Sequence, residues 1–179
     1  MEKIDKRFFN ALQNLGKIKR TGWIMAKIPY DMAESIAEHT LKVAFIALKI
    51  AKETEGADQL KTLKMALIHD LPEAVTSDIP KPIKEKMNGE KMKEVTIEAL
   101  NNITCEKELR EIHKEYIKGE SVEAKIVEYS DRLATNLQSE TYIKEYGIRT
   151  EYLKEIYENS RRILERMKKN EFKPKDEEI

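Results

Sequence analysis

Leu67-Ile68-His69-Asp70-Leu71-Pro72-Glu73-Ala74-Val75-Thr76-Ser77-Asp78 sets a histidine beside an aspartate at the end of an apolar run. Two further carboxylates, Glu73 and Asp78, follow closely. Apolar neighbours on both sides point the His69–Asp70 pair inward. An inward carboxylate is costly unless it is paired or bound to a metal. The remainder of the chain is therefore read for its partners.

Six glycines and five prolines in 179 residues are few, and apolar residues recur mostly at three- and four-residue spacing. This pattern predicts an all-α protein. No internal repeat, low-complexity linker or domain boundary interrupts it, so residues 1–179 read as a single domain with 170–179 as a frayed polar tail. A first helix is expected over Asp5–Leu15, with Phe8, Leu12 and Leu15 inward and Gly16 ending it. Lys17–Trp23 reads as a basic turn, and Lys27–Met32 as irregular around Pro29. A long helix spans Ser35–Glu53, opened by a Ser35/Glu38 capping-box pattern. His39, Val43, Ile46 and Ile50 share one face of it. Leu41, Ala44, Phe45 and Leu48 form a second apolar face, which predicts a central helix.

Asp58 opens a helix that ends near Asp70, with Leu60, Leu63, Leu67 and Ile68 as its apolar positions. Leu71–Asp78 reads as a short helical turn. Short helices are expected at Ile83–Met87 and Lys91–Leu100 around the Asn88-Gly89 turn, then a polar helix over Glu106–Ile117. Ser121–Tyr142 carries Ala124, Val127, Asp131 and Ala134 on one stripe. After Gly147 a last amphipathic helix uses Leu153, Ile156, Ile163 and Met167.

Composition narrows the function classes. With 33 basic and 33 acidic residues the net charge is zero, so nothing general favours a nucleic acid polymer or a membrane surface. The longest apolar run, Val43–Leu48, is far too short to span a bilayer, and Met1–Arg7 contains no apolar signal region. Cys105 has no partner for an intrachain disulfide, so the expected setting is the reducing cytoplasm. Lys and Glu dominate a charged fraction of 37%. This suits a heat-adapted protein, and equally a set of long helices with many exposed positions.

Four residues, His39, His69, Asp70 and Asp131, lie on or at the end of apolar stripes of three expected helices. Two imidazoles and two carboxylates suit a borderline or hard divalent ion, with no thiolate to favour a structural zinc cluster. On spacing alone a competing reading stays open: packed histidines, a chance His-Asp pair, and Asp131 paired with Arg132.

The order His39 … His69-Asp70 … Asp131 resembles the H…HD…D pattern of the HD-domain metal-dependent phosphohydrolases. Ser35-Ile-Ala-Glu-His-Thr resembles the SxAEH segment of their 5′-deoxynucleotidase branch, the YfbR-like and oxetanocin-like proteins. His69–Pro80 resembles the HDxxE…D(I/L)P stretch of that branch, and Lys19-Arg20-Thr-Gly-Trp23 its basic-plus-Trp loop. Here Thr21 and Gly22 separate Arg20 from Trp23, which are adjacent in some members.

The resemblance implies an all-α HD-domain bundle with one buried metal site. His39, His69, Asp70 and Asp131 would hold one divalent ion per chain, such as cobalt, manganese, magnesium or zinc. Such an ion lowers the pKa of water and polarises a phosphoryl oxygen. Glu73 would serve as acid/base and Asp78 would assist or orient. Without the resemblance, Glu73 reads as a helix-surface residue and Asp78 as a turn cap. Arg20, aided by Lys19, would clamp phosphate, and Trp23 would contact the sugar or base. Alone, these read as surface cations and a core tryptophan. The substrate implied is a deoxynucleoside 5′-monophosphate and the assembly a homodimer. Tyr142, Tyr146, Tyr152 and Tyr157 are compatible with a subunit contact and equally with a core. His113, in a charged context, is expected to be solvated, and this leaves too few histidines for a second metal. Competing functions are hydrolysis of another nucleotide, a triphosphate or pyrophosphate, and a non-catalytic metal- or nucleotide-binding module.

Overall fold

Helix starts set the architecture of the computed structural model, which describes residues 5–80, 83, 86 and 88–170. Helix α1 (Lys6–Lys17) is capped by Asp5, whose carboxylate accepts from Arg7 N at 2.9 Å. A short α2 (Thr21–Met25) follows. Ser35 caps α3 (Ile36–Glu53) with the full reciprocal box: Ser35 Oγ accepts from Glu38 N at 3.2 Å, and Glu38 Oε2 accepts from Ser35 N at 2.6 Å. Asp58 caps α4 (Gln59–Ile68), and α5 (Glu73–Thr76) is one turn long. Helices α6 (Gly89–Ile103) and α7 (Lys107–Lys118) lead to α8 (Val122–Lys144), capped by Ser121, and to α9 (Glu151–Asn170). Among the described residues there is no strand, only an isolated antiparallel bridge between Lys19 and Ser35.

Helices α3, α4 and α8 pack against one another, α7 lies on α4 and α8, and α9 lies along α8. Small side chains let the central three approach: Ala44, Ala47 and Ala51 on α3, Ala66 on α4, and Ala124 and Ala134 on α8 are all buried in one core. A second, smaller core gathers Trp23, Ala26, Ile28, Ala33, Tyr142 and Leu153 where α2 and α9 meet the end of α8. The all-α expectation holds, and so does the position of each long helix.

Several faces differ from the sequence expectation. Helix α1 runs through Gly16 and stops at Ile18, because Ile18 O leaves the helix to accept from Ile36 N at 3.0 Å. Its Ala11 is buried and Leu12 is exposed. On α3 the second face is not a core face: Ala44 is buried, but Leu41 and Phe45 are 56% and 67% exposed. On α4 the inward stripe is Thr62, Met65, Ala66 and Ile68, while Leu60 and Leu67 face out. Thr62 tolerates this position because its hydroxyl donates to Asp58 O at 2.7 Å. The turn expected before Trp23 is helical from Thr21 onward. His113 is 2% exposed rather than solvated, with its ring near Tyr116. Tyr142 is core, Tyr152 and Tyr157 are half-buried, and Tyr146 is exposed. The helix expected at Ile83–Met87 lies, but for Ile83 and Lys86, outside the described residues, as does the tail beyond Asn170.

The revised stripe of α4 gives a direct check. Met65→Ala, at a fully buried site, should cost about 2–5 kcal/mol in urea unfolding. Leu60→Ala, at a site 61% exposed, should stay within about 0.5 kcal/mol of the parent. The reverse order would contradict the packing.

Candidate metal centre and its cavity

His39 projects from the first turns of α3 and is completely buried. Its Nε2 lies 2.9 Å from Asp131 Oδ1, on α8, and 3.9 Å from Asp70 Oδ2. His69 ends α4, and Asp70 follows in the turn before α5. His69 Nε2 is 3.2 Å from Asp70 Oδ2. The ligand-capable atoms of His39, His69 and Asp70 lie within 4.8 Å of one another, with the Asp131 carboxylate against His39. Three of the four residues that the sequence singled out thus form one cluster, and the fourth, Asp131, joins it through His39.

The donor set fits a cation. His69 Nδ1 is 2.7 Å from Ala66 O, so this nitrogen carries the proton. Its buried Nε2 has no hydrogen-bond partner although a carboxylate oxygen is close. A neutral His69 would set one lone pair against another there, and only a positive charge between them removes the repulsion. Protons do this when no ion is bound. Burial works against a charged His69, but the Asp70 charge, contact with Asp70, the Asp131 charge and the Ala66 carbonyl raise it to about 9. Burial and the charge of Arg20 instead push His39 down. Burial raises Asp70, yet His69, His39 and Arg20 hold it well below the usual carboxylate range. Asp131 is likewise held low against burial by its bond to His39 and by Arg132 and Arg20. Both carboxylates are therefore ionised and available as ligands.

A cavity of about 410 Å³ opens beside this centre. Arg20, Glu73 and Asp78 line it together with Asp70 and Asp131. Arg20 N donates to Glu34 O at 2.9 Å, which fixes the loop against the start of α3. The Arg20 guanidinium lies 3.6 Å from Asp70 Oδ2 and 3.4 Å from Thr135 Oγ1. Burial disfavours its charge, but Asp131, Asp70, Glu34 and Asp78 outweigh that and raise its pKa further. Glu73 opens α5, half-buried. Asp78 closes the loop after α5 by accepting from Thr21 N at 2.5 Å, and its carbonyl accepts from Thr21 Oγ1 at 2.7 Å. It thereby anchors the first turn of α2, next to Arg20.

Trp23 and Lys19 stand apart. Trp23 borders the cavity but is 1% exposed, and its Nε1 donates to Glu34 Oε2 at 3.0 Å. Its ring is edge-on to Tyr142, so it is first a core residue. Lys19 pairs its backbone with Ser35, its charge acts on Glu38, and it is not among the residues lining the cavity.

The structure adds cavity residues that no motif marked. Tyr116 reaches in from α7; burial, Asp131 and Asp70 raise its hydroxyl pKa well above the ordinary value, so it stays a donor. Arg132 adds a second guanidinium, with its Nε buried and unpartnered among the described residues. Tyr152, Ile156, Asn159 and Ile163 of α9 form the far wall. Arg132 follows Asp131 directly, which was a usable signal. For Tyr116 and α9 the sequence carries none.

A family model described as HD domain matches residues 12–170. The chain belongs to the HD-domain family. It is 30% identical over 142 residues to the 5′-deoxynucleotidase HDDC2 of Mus musculus, covering 76% of this chain and 68% of that one. Among solved structures, the PH0347 protein from Pyrococcus horikoshii OT3 is similar with a TM-score of 0.76 and 30% identity, covering 91% of this chain and 90% of that one. A conserved hypothetical protein from Pyrococcus furiosus is similar with a TM-score of 0.71 and 32% identity, over 87% and 98% of the respective chains. HD domains are metal-dependent, in keeping with the donor set above.

An ion that binds only the folded chain should stabilise it, by about 2.7 kcal/mol at a hundred times its Kd. Manganese or cobalt should therefore raise the Tm of chelator-treated protein, and EDTA should reverse the rise. His69→Ala and Asp131→Ala should abolish it. A full shift in both variants would sink the ligand assignment.

Proposed function

We propose that this HD-domain protein is a 5′-deoxynucleotidase that converts deoxynucleoside 5′-monophosphates to deoxynucleosides and inorganic phosphate. The observation that carries the reading is the cluster of His39, His69 and Asp70, with Asp131 against His39, beside a cavity that Asp70, Asp131, Arg20, Glu73 and Asp78 line. The relatives named 5′-deoxynucleotidase support the substrate class. His39, His69, Asp70 and Asp131 would hold one divalent ion, which would supply Lewis acidity and lower the pKa of water.

The chain's own groups do the rest. Arg20 neutralises and orients the phosphate with its planar fork of donors. Glu73 takes the proton of the water whose oxygen attacks phosphorus. The bond between phosphorus and the 5′ oxygen breaks, and the proton passes from Glu73 to the departing oxygen. Asp78 orients Arg20 through Thr21. Lys19 contributes positive charge from outside the cavity. Trp23 stiffens the wall that faces the sugar, which gives it a part in refusing a 2′-hydroxyl.

A monophosphate is favoured over a triphosphate by charge. The residues lining the cavity include four carboxylates, Asp70, Glu73, Asp78 and Asp131, against two guanidiniums, Arg20 and Arg132. One divalent ion and the two guanidiniums just offset these four carboxylates, so every further negative charge is unfavourable: a monophosphate brings about two and a triphosphate about four.

Among the described residues no helix is long and apolar enough to cross a membrane. We place the activity in the cytoplasm, where the exposed Cys105 stays reduced. The pairing implied by the family resemblance is also part of the proposal. Leu41, Phe45 and Leu137 are well exposed and give such a contact an apolar strip to bury. Light scattering should then report twice the 20.9 kDa chain mass, falling to the single mass in Phe45→Glu. A monomeric parent would remove the dimer from the proposal.

Phosphate release should be seen with dAMP, dGMP, dCMP, dTMP and dUMP in the presence of cobalt or manganese. It should be weak with the ribose forms and with dATP, and absent with EDTA. Glu73→Gln should lower kcat by about 10²–10⁴-fold and leave metal binding intact, whereas Arg20→Ala should mainly raise KM. Equal release from ribose nucleotides, or faster release from dATP, would discard the substrate assignment. No release under any metal would favour a binding module.

A further inference from the structure

Behind His39 the structure holds a buried carboxylate that no sequence motif marked. Glu34 is 4% exposed. Its Oε2 accepts from Trp23 Nε1 at 3.0 Å and its Oε1 from Lys42 Nζ at 2.8 Å. Its backbone is held as well: Glu34 N donates to the Tyr142 hydroxyl at 2.9 Å, and that hydroxyl donates to Met32 O at 3.1 Å. Glu34 O takes the amide of Arg20. Few side chains are fixed at so many points.

Glu34 Oε2 lies 3.8 Å from His39 Nδ1. That nitrogen is buried and has no hydrogen-bond partner. When Nε2 of an imidazole is a metal ligand, the remaining proton resides on Nδ1 and needs an acceptor. Leaving a buried N–H unpaired costs the full loss of its hydration. Glu34 is the carboxylate on that side of the ring, 3.8 Å away.

We propose that Glu34 is a positioning residue of the metal centre, its buried carboxylate accepting the N–H of His39 Nδ1 when Nε2 engages a divalent cation and bracing the Trp23 wall of the cavity with the same oxygen. The inference rests on the metal-centre reading above. One carboxylate then sets the tautomer of a ligand on one side and the position of the cavity wall on the other. Lys42 holds the second oxygen of Glu34, Oε1, away from the ring. The wall is thereby tied to the ligand cage, so a change at the metal is felt where the sugar is proposed to lie.

The test is calorimetric titration of the chelator-treated full chain with zinc, without nucleotide, alongside urea unfolding. Glu34→Ala should weaken zinc binding about 10–100-fold. Glu34→Gln keeps the volume and an acceptor for Trp23, so its unfolding midpoint should return toward the parent, while zinc binding stays weakened about tenfold. Trp23→Phe removes the indole donor and should leave zinc affinity within about twofold of the parent. The chain has a single tryptophan, so its emission should move on zinc addition in the parent and respond less in Glu34→Gln. Folded Glu34→Ala and Glu34→Gln proteins that bind zinc as the parent does would overturn the proposal and leave the metal centre standing. Equal weakening in Trp23→Phe would also overturn it, because packing would then explain the effect. A parent that takes up no metal would overturn both readings together.

Discussion

Two ionised carboxylates lie side by side against two imidazoles inside an apolar bundle, and much of the molecule answers that fact. Asp70 and Asp131 expose less than a fifth of their side chains, so water does little to screen them. Positive charge must come from elsewhere. Arg20 supplies one unit and His69 a second by holding its proton, which a divalent ion held at the proposed centre would displace. The close crossing of α3, α4 and α8 over alanines brings the four groups together, because larger side chains there would hold His39 and Asp131 apart.

The same balance explains the placement of Arg20, the proposed phosphate clamp. Arg20 is tied through its backbone amide to Glu34 and through its charge to Asp70. A cation held this way needs no reorganisation to meet an incoming anion, which is what makes a fixed donor more useful than a mobile one. Lys19, one residue earlier, has its backbone in the bridge to Ser35 instead. Adjacent residues in an extended bridge point to opposite sides, so only one of two neighbouring cations can enter the cavity.

The four proposed metal ligands could be picked out because each sits at a marked place in local sequence: His39 four residues after its cap, His69–Asp70 at the end of α4, and Asp131 among small apolar residues of α8. Caps at Asp5, Ser35, Asp58 and Ser121 were legible for the same local reason. Exposure was not. Leu41, Phe45, Leu60 and Leu67 fit helical stripes, yet they stay exposed among the described residues, since a stripe records periodicity and not whether a neighbour within the chain covers it. His113 failed the other way: charged neighbours flank it in sequence, but its own face of α7 turns toward His69 and Tyr116. Glu34, Tyr116 and the α9 wall depend on contacts far apart in the chain. Trp23 was assigned two readings, and the packed one describes its contacts, with one edge still bordering the cavity.

The loop after α5 shows how local strain and the site are joined. Ser77 has φ 60° and ψ 169°, a region that glycine alone enters freely. It is retained there by bonds on both sides: Ser77 N donates to Glu73 O at 2.9 Å, and Asp78 binds Thr21 twice. The turn reverses the chain sharply enough to bring Asp78 back to α2 while Glu73 still faces the cavity. Glu73, Ser77, Asp78, Thr21 and Arg20 thus form a closed circuit that returns to Asp70 through the guanidinium. The carboxylate proposed to move the proton and the cation proposed to hold the phosphate are therefore set by one constraint. A gentler turn would separate them even with every ligand in place.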